Sequence, residues 1–167
     1  SVAYDVISSA DSPIVLDADG LNAVALEPDI LNHRKSDIIV TPHPAEMARL
    51  LNKTTEEVQA NRIACAKECA KKYGVITVLK GAYTVIADPN GKLFINTTGS
   101  PALATAGSGD MLSGMIAAFL ANKIQPIKAA VAAVCLHGAV GEKAAKDLGV
   151  RGVLTSDLIE RLPLILN

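Results

Sequence analysis

The chain has 167 residues, half of them apolar and a fifth charged, the size and composition of one soluble globular domain with a sizeable core. Its formal net charge of -1 gives no electrostatic case for nucleic acid or an anionic membrane as partner, so any phosphate must be held by local geometry. Aromatics make up only 3% and Trp is absent, so the core must be built from Ala, Val, Ile and Leu, which suits helices packed on a buried sheet.

Residues 1–10 (SVAYDVISSA) lack the basic flank and apolar run of a leader and read as the tail of a helix. Residues 13–17 (PIVLD) are a brief apolar run closed by acidic residues, which predicts a short buried strand. A helix is expected over residues 21–26. Residues 37–41 (DIIVT) predict a second buried strand stopped by Pro42, and residues 44–51 a short helix with Pro44 in its first turn. Thr54 and Glu57 then form a capping-box pattern. Val58, Ile63, Ala66 and Ala70 supply an apolar stripe, and Gly74 is the expected stop of a single helix.

Cys65 and Cys69 lie four apart on that helix and could face one metal. With no His or further Cys nearby they read as small core residues. With Cys135 they make an odd count at no framework spacing, which points to a reducing cytoplasm rather than a disulfide scaffold. Residues 75–79 (VITVL) predict a third buried strand, expected at the centre of the sheet. Residues 83–87 and 92–96 flank Asp88-Pro-Asn-Gly91 and predict a hairpin. A Gly/Ser/Thr/Pro-rich loop runs over residues 97–109. Helices are expected over residues 110–121, 127–147 and from an N-cap at Ser156 to Leu162. The apolar stretch at 111–121 is shorter than the roughly 20 residues that span a bilayer. Strands alternating with helices give an α/β fold with a mainly parallel sheet and one hairpin.

The loop before residue 110 carries the chemistry. In Thr105-Ala-Gly-Ser-Gly-Asp110, Gly107 and Gly109 permit backbone angles closed to other residues. Their N–H groups, with the first free N–H groups of the helix, can converge on an anion that the helix dipole also favours. Asp110 sits beside this cradle. It can serve as a general base that takes a proton from a hydroxyl attacking a phosphoryl group. It can equally be a helix-start residue, and spacing alone leaves both readings open.

Four stretches together carry a resemblance. Residues 99–118 (GSPALATAGSGDMLSGMIAA), 16–22 (LDADGLN), 41–50 (TPHPAEMARL) and 78–87 (VLKGAYTVIA) resemble the motifs of the bacterial ADP-dependent NAD(P)H-hydrate dehydratases, in order and at their spacing. The resemblance implies a ribokinase-like fold. It implies conversion of the S epimer of NADHX or NADPHX to NADH or NADPH, with ADP as co-substrate, Mg²⁺ required, and AMP and phosphate as products. It implies that residues 1–167 are the C-terminal portion of a single ribokinase-like domain whose N-terminal part is absent.

Residue by residue, Lys80, Gly81, Ala82, Tyr83 and Thr84 match the stretch lining the AMP part of the nucleotide site. Gly109 matches a nucleotide-contacting glycine, with Gly107 and Ser108 completing the cradle. Asp110 matches the substrate-contacting base and His43 a substrate-contacting histidine. One departure is Ala45, where the family usually has Gly.

The metal ligands stay open. Asp17, Asp19 and Asn22 follow a strand and could reach Mg²⁺ through water, or be turn and cap residues. His137 reads as a packed or capping histidine and His33 as exposed. Alternative readings are a small-molecule kinase of the same superfamily, acting on a vitamin precursor or sugar, and a noncatalytic nucleotide-binding subunit. Cytoplasmic location is expected, as is assembly as a homo-oligomer or with the missing N-terminal segment.

Overall fold

The structure, a computed structural model, describes residues 2–166. Five strands form one sheet in the order β1 (Ile14–Leu16), β2 (Ile38–Val40), β3 (Ile76–Leu79), β4 (Val85–Ala87), β5 (Leu93–Ile95). β1, β2 and β3 are parallel. β4 is antiparallel to β3, and β5 to β4. Four strands therefore run one way and only β4 is reversed, which gives the expected mainly parallel sheet with a hairpin and residues 75–79 at its centre. The hairpin turns on Asp88, whose Oδ1 accepts from the N–H of Asn90 at 3.0 Å and of Lys92 at 2.8 Å, and on Gly91 with φ +93°.

β2 and β3 are buried along their whole length because helices cover both faces. Alternate side chains sort the core into two layers. Ile38, Val40 and Leu79 join one layer with residues of α1 (Val2–Ser9), α2 (Ala18–Val24), α3 (Pro44–Leu51), α4 (Thr55–Ala60) and α5 (Arg62–Tyr73). Ile39, Ile76 and Val78 join the other with α6 (Ser108–Ala121), α7 (Pro126–Leu148) and α8 (Thr155–Ile165).

α1 is the helix expected for residues 1–10, Ser1 lying outside the described residues. α3 has the expected bounds, and Gly74 ends α5 in the left-handed conformation with φ +62°. Cys65 and Cys69 are buried among the core residues of α5. Burial pushes the Cys69 thiol up to about 11.

Several helices differ from expectation. α2 begins at Ala18, three residues early, because extended Asp17 already opens it. Residues Pro28–His33 form a 3-10 helix that no periodicity announced. The single helix expected from Thr54 to Gly74 is broken at Asn61, which leaves helical angles (φ -133°, ψ 42°) and ends α4 before Arg62 starts α5. The capping box is present: Thr54 Oγ1 accepts from Glu57 N, and Glu57 Oε2 from Thr54 N. α8 begins one residue before Ser156, which is therefore not its N-cap. Leu154 holds that position, its N–H bound by Asp157 Oδ2 at 2.8 Å.

Candidate active site

β3 delivers Lys80 to the C-terminal edge of the sheet, where the Lys80 N–H donates to Pro42 O at 2.9 Å. The chain then turns sharply. Gly81 has φ +136° and Tyr83 φ +53°, and the Thr84 hydroxyl closes the turn on Gly81 O at 3.0 Å. Arg62, freed by the break at Asn61, clamps this corner. Its guanidinium donates to Leu79 O at 3.1 Å and to Lys80 O at 3.3 Å. A Cβ on Gly81 would stand 2.8 Å from Arg62 Nη1, so the turn needs glycine on two counts. Residues 80–84 form one wall of a cleft of about 720 Å³. Residues 96–105 form another, and α7 contributes Val134, His137 and Gly138.

The floor of the cleft is the start of α6, with Ser108 and Gly109 in its lining. α6 starts two residues earlier than expected because Gly107, at φ +83°, turns the chain into the helix without a side-chain cap. The Ser108 N–H bonds Thr105 O and the Met111 N–H bonds Gly107 O. Among the described residues the amides of Gly109 and Asp110 find no acceptor. Two N–H donors at a helix N-terminus are thus left for an anion.

Ser108 is buried and His137 is the reason. His137 Nε2 lies 3.0 Å from Ser108 Oγ and 3.0 Å from Ser108 O. A carbonyl only accepts, so Nε2 carries the proton. Burial lowers the His137 pKa, only partly offset by its bond to Ser108 O, so the ring is neutral at pH 7. His137 is packed, as read from the sequence, and it also walls the cleft.

A pH dependence follows. Below the ordinary histidine value of 6.5 the unfolded ring takes up a proton that the folded ring refuses. Stability should therefore fall as pH drops from 6.5 toward the lowered folded value, and level off beneath it. Urea unfolding of the wild type and of His137→Gln across this window checks the sign. The gap between them should narrow as pH falls, and a constant gap would contradict the neutral-ring assignment.

Beside the cleft lies a charged cluster built from three strand ends. Asp17 follows β1, Glu46 lies in the first turn of the helix after β2, and Lys80 follows β3. Lys80 Nζ donates to Asp17 Oδ1 at 2.6 Å and stands 3.9 Å from Glu46 Oε2. The Ser113 hydroxyl of α6 donates to Asp17 Oδ2 at 2.8 Å. Burial works against the Asp17 carboxylate, but its bond and charge interaction with Lys80, with help from Ser113 and Thr41, outweigh it and hold its pKa below the usual range.

His43 is half-exposed and caps α3. Its Nδ1 accepts from the N–H of Ala45 at 3.1 Å and Glu46 at 3.3 Å, and Glu46 Oε2 accepts from the His43 N–H at 2.7 Å. Asp110 is exposed and its carboxylate has no hydrogen bond or ion pair with another described residue. Neither His43 nor Asp110 lines the cleft. Asn22 is taken up by Arg49 Nη1 at 2.8 Å. His33 is exposed.

The sequence reading did not single out Glu46, Arg62 or Ser113. Glu46 had a local signal, an N-cap-x-x-Glu spacing from His43, disguised because His is not a usual capping residue. Arg62 and Ser113 act only across the fold. Among the described residues no three His, Cys, Asp or Glu side chains are grouped to hold a metal ion.

The family model described as NAD(P)H-hydrate dehydratase, of the carbohydrate-kinase type, matches residues 2–164. A bifunctional NAD(P)H-hydrate repair enzyme of Moorella thermoacetica is 42% identical over 163 residues, 98% of this chain and 31% of that protein. An ADP-dependent (S)-NAD(P)H-hydrate dehydratase of Neisseria meningitidis is 40% identical over 151 residues, 89% of this chain and 51% of that protein. The crystal structure of an ADP/ATP-dependent NAD(P)H-hydrate dehydratase from Bacillus subtilis, co-crystallized with ATP and Mg²⁺, superposes with a TM-score of 0.86 at 36% identity. It covers 97% of this chain and 57% of that one. The chain thus spans about a third of the bifunctional relative and about half of the dehydratases. With the ribokinase-like sheet, the glycine cradle and a family match over nearly its whole length, the chain belongs to the NAD(P)H-hydrate dehydratase family.

Proposed function

We propose that this site carries out ADP-dependent dehydration of (S)-NADHX and (S)-NADPHX, giving NADH or NADPH with AMP and phosphate. The observation that carries the reading is the first turn of α6. There two unpartnered amides, of Gly109 and Asp110, and the unpartnered Asp110 carboxylate stand within two residues. An anion cradle and a free base are what phosphoryl transfer to a hydroxyl requires. Lys80, Gly81, Ala82, Tyr83, Thr84, Ser108 and Gly109 bind ADP in the cleft, with Gly107 setting the entry to the helix. Asp110 and His43 face the hydrate beyond it.

In the first step Asp110 takes the proton as the hydrate's hydroxyl oxygen bonds the β-phosphorus. The bond to the bridging oxygen breaks and its electron pair stays with AMP. In the second step phosphate leaves with the carbon–oxygen electron pair, and the adjacent ring carbon gives a proton to water, its C–H electron pair restoring the double bond. Phosphorylation has exchanged hydroxide for a better leaving group. Mg²⁺ would supply charge compensation on the phosphates. The described residues form no three-ligand cage for it, so it would arrive with the nucleotide.

The test is the full-length protein with ADP, Mg²⁺ and the S epimer of NADHX, following NADH and AMP together. Binding of ADP without NADH formation would overturn the reading in favour of a noncatalytic subunit. Phosphorylation of hydroxymethylpyrimidine by ATP would favour the kinase.

We infer further that residues 1–167 are the C-terminal portion of one domain whose remainder, or a second copy, covers the outer edge of β1. β1 is an edge strand, at one end of the order, and a bare strand edge invites pairing. Val2, Tyr4 and Val6 of α1 and Leu164 of α8 are exposed apolar residues that such an assembly can bury. Sedimentation of this chain alone as a stable, monodisperse monomer would contradict it. No helix among the described residues is long and apolar enough to cross a membrane. A cytoplasmic location is proposed from the nucleotide substrates.

A further inference from the structure

The side chain of Lys80 parts company with the turn it begins. Residues 81–84 run along the cleft wall, but the Lys80 ammonium reaches to the start of α6 and the charged cluster. A Cβ placed on Gly109 would stand 3.5 Å from Lys80 Nζ and 3.7 Å from Asp17 Oδ2. The ammonium therefore lies against Gly109, whose own amide and that of Asp110 are free. We propose that Lys80 binds the transferable β-phosphate of the nucleotide and not its adenosine monophosphate part, and that Asp17 is the positioning residue that holds it there. This rests on the nucleotide reading given above.

Lysine is a compact charge on a flexible stem, and fixing its place needs a partner. Asp17 supplies one from a position that is itself fixed, since its second oxygen is held by Ser113. The ammonium has three N–H donors. One is used by Asp17; Glu46 Oε2, at 3.9 Å, lies beyond hydrogen-bond distance, so donors remain for a ligand in the cleft that Lys80 lines. The ligand atom must be anionic to draw on that charge, and in a nucleotide the anionic atoms are phosphate oxygens.

The charge balance sharpens the point. Asp17 and Glu46 are two carboxylates around one ammonium. Without Lys80 they would face the incoming phosphate uncompensated. During transfer the substrate oxygen bonds the β-phosphorus, the bond to the bridging oxygen breaks toward AMP, and the hydroxyl proton passes to Asp110. Lys80 offsets the charge on the β-phosphoryl oxygens throughout, and its placement matters most when that geometry tightens.

The two residues should fail differently. In the full-length protein, titration calorimetry with AMP and with ADP is run on the wild type, Lys80→Met, Asp17→Asn and the double variant. Lys80→Met should weaken ADP roughly ten- to hundredfold, the loss of a charge-assisted hydrogen bond, and leave AMP within about threefold. The double variant leaves no unpaired Asp17 carboxylate, and Glu46 keeps the hydrogen bond from the His43 N–H; it should bind ADP no better than AMP. Asp17→Asn removes a repulsive carboxylate but frees the ammonium. Its turnover should fall more than about tenfold while its KM for ADP does not rise.

Equal loss of AMP and ADP in both Lys80→Met and the double variant would overturn the proposal. So would an Asp17→Asn enzyme with raised KM and intact turnover. A wild type that binds neither nucleotide would instead sink the nucleotide reading itself, and this proposal with it.

Discussion

Asp110→Asn should lower turnover by about 10²–10⁴, the typical loss when a general base is removed, while nucleotide affinity stays near that of the wild type. Asn keeps the shape and the backbone N–H, so the cradle made with Gly109 survives. Asp110 is exposed, and no described residue depends on its carboxylate, so no internal bond is broken. What is lost structurally is a negative charge in the first turn of α6, which stabilises by about 0.3–1 kcal/mol at an exposed site. Stability should therefore shift by less than about 1 kcal/mol. A plain helix-start residue would give that small stability change with turnover intact. The measurement is turnover in the full-length protein with ADP, Mg²⁺ and (S)-NADHX, together with calorimetric ADP affinity. Retention of more than about a tenth of wild-type turnover would rule out Asp110 as the base.

The strands were readable because each is a short apolar run closed by a charge, Pro or Gly, and because β2 and β3 are buried on both faces. The hairpin was readable from Asp88-Pro-Asn-Gly91, where a side-chain turn and a left-handed glycine act locally. Helix ends were less so. The break at Asn61 leaves Val58, Ala66 and Ala70 of the expected apolar stripe on the core side, so periodicity runs across it, but it turns Ile63, expected on the same stripe, out to solvent. Its consequence, Arg62 reaching the carbonyls of Leu79 and Lys80, is a tertiary contact with no local trace. The start of α8 departs from Ser156, a stronger capping residue by type, because Asp157 binds the Leu154 amide from inside the helix.

The site divides along the same line. The glycines of the cradle and the turn at residues 80–84 announce themselves by composition, and the structure places Lys80, Gly81, Ala82, Tyr83, Thr84, Ser108 and Gly109 around one cleft. The cluster beside it joins Asp17, Lys80 and Ser113, which are far apart in the chain. Only the parallel order of β1, β2 and β3 brings their C-terminal ends together. His137 was legible as packed. That it packs against the cradle serine follows only from α7 crossing α6.

Gly138→Ala should be the most damaging small substitution in the cleft. An added methyl normally favours a helix, since glycine in a helix interior costs about 1 kcal/mol relative to alanine. Here a Cβ on Gly138 would overlap Thr98 Oγ1 and stand 2.8 Å from the Thr98 carbonyl carbon. A backbone atom cannot rotate away, so the loop itself must move. Thr98 is docked at this point of α7 by its hydroxyl on Cys135 O at 2.9 Å, and one turn later Glu142 accepts from the Gly99 N–H at 2.8 Å. Displacing Thr98 therefore disturbs the bonds that hold residues 96–103 as a wall of the cleft. The stability cost should be about 1–3 kcal/mol, as for other overpacked sites. Nucleotide affinity should fall tenfold or more, because a wall displaced by about 1 Å can cost up to 10²-fold in positioning. Gly114→Ala is the matched control. It lies within α6, is exposed, and nothing stands within 4 Å of its added Cβ, so it should raise stability by up to about 1 kcal/mol and leave ADP binding unchanged. Urea unfolding and ADP titration of the two variants side by side separate helix propensity from the clash. A Gly138→Ala protein as stable as Gly114→Ala, with ADP affinity intact, would show that residues 96–103 do not need their close seat on α7.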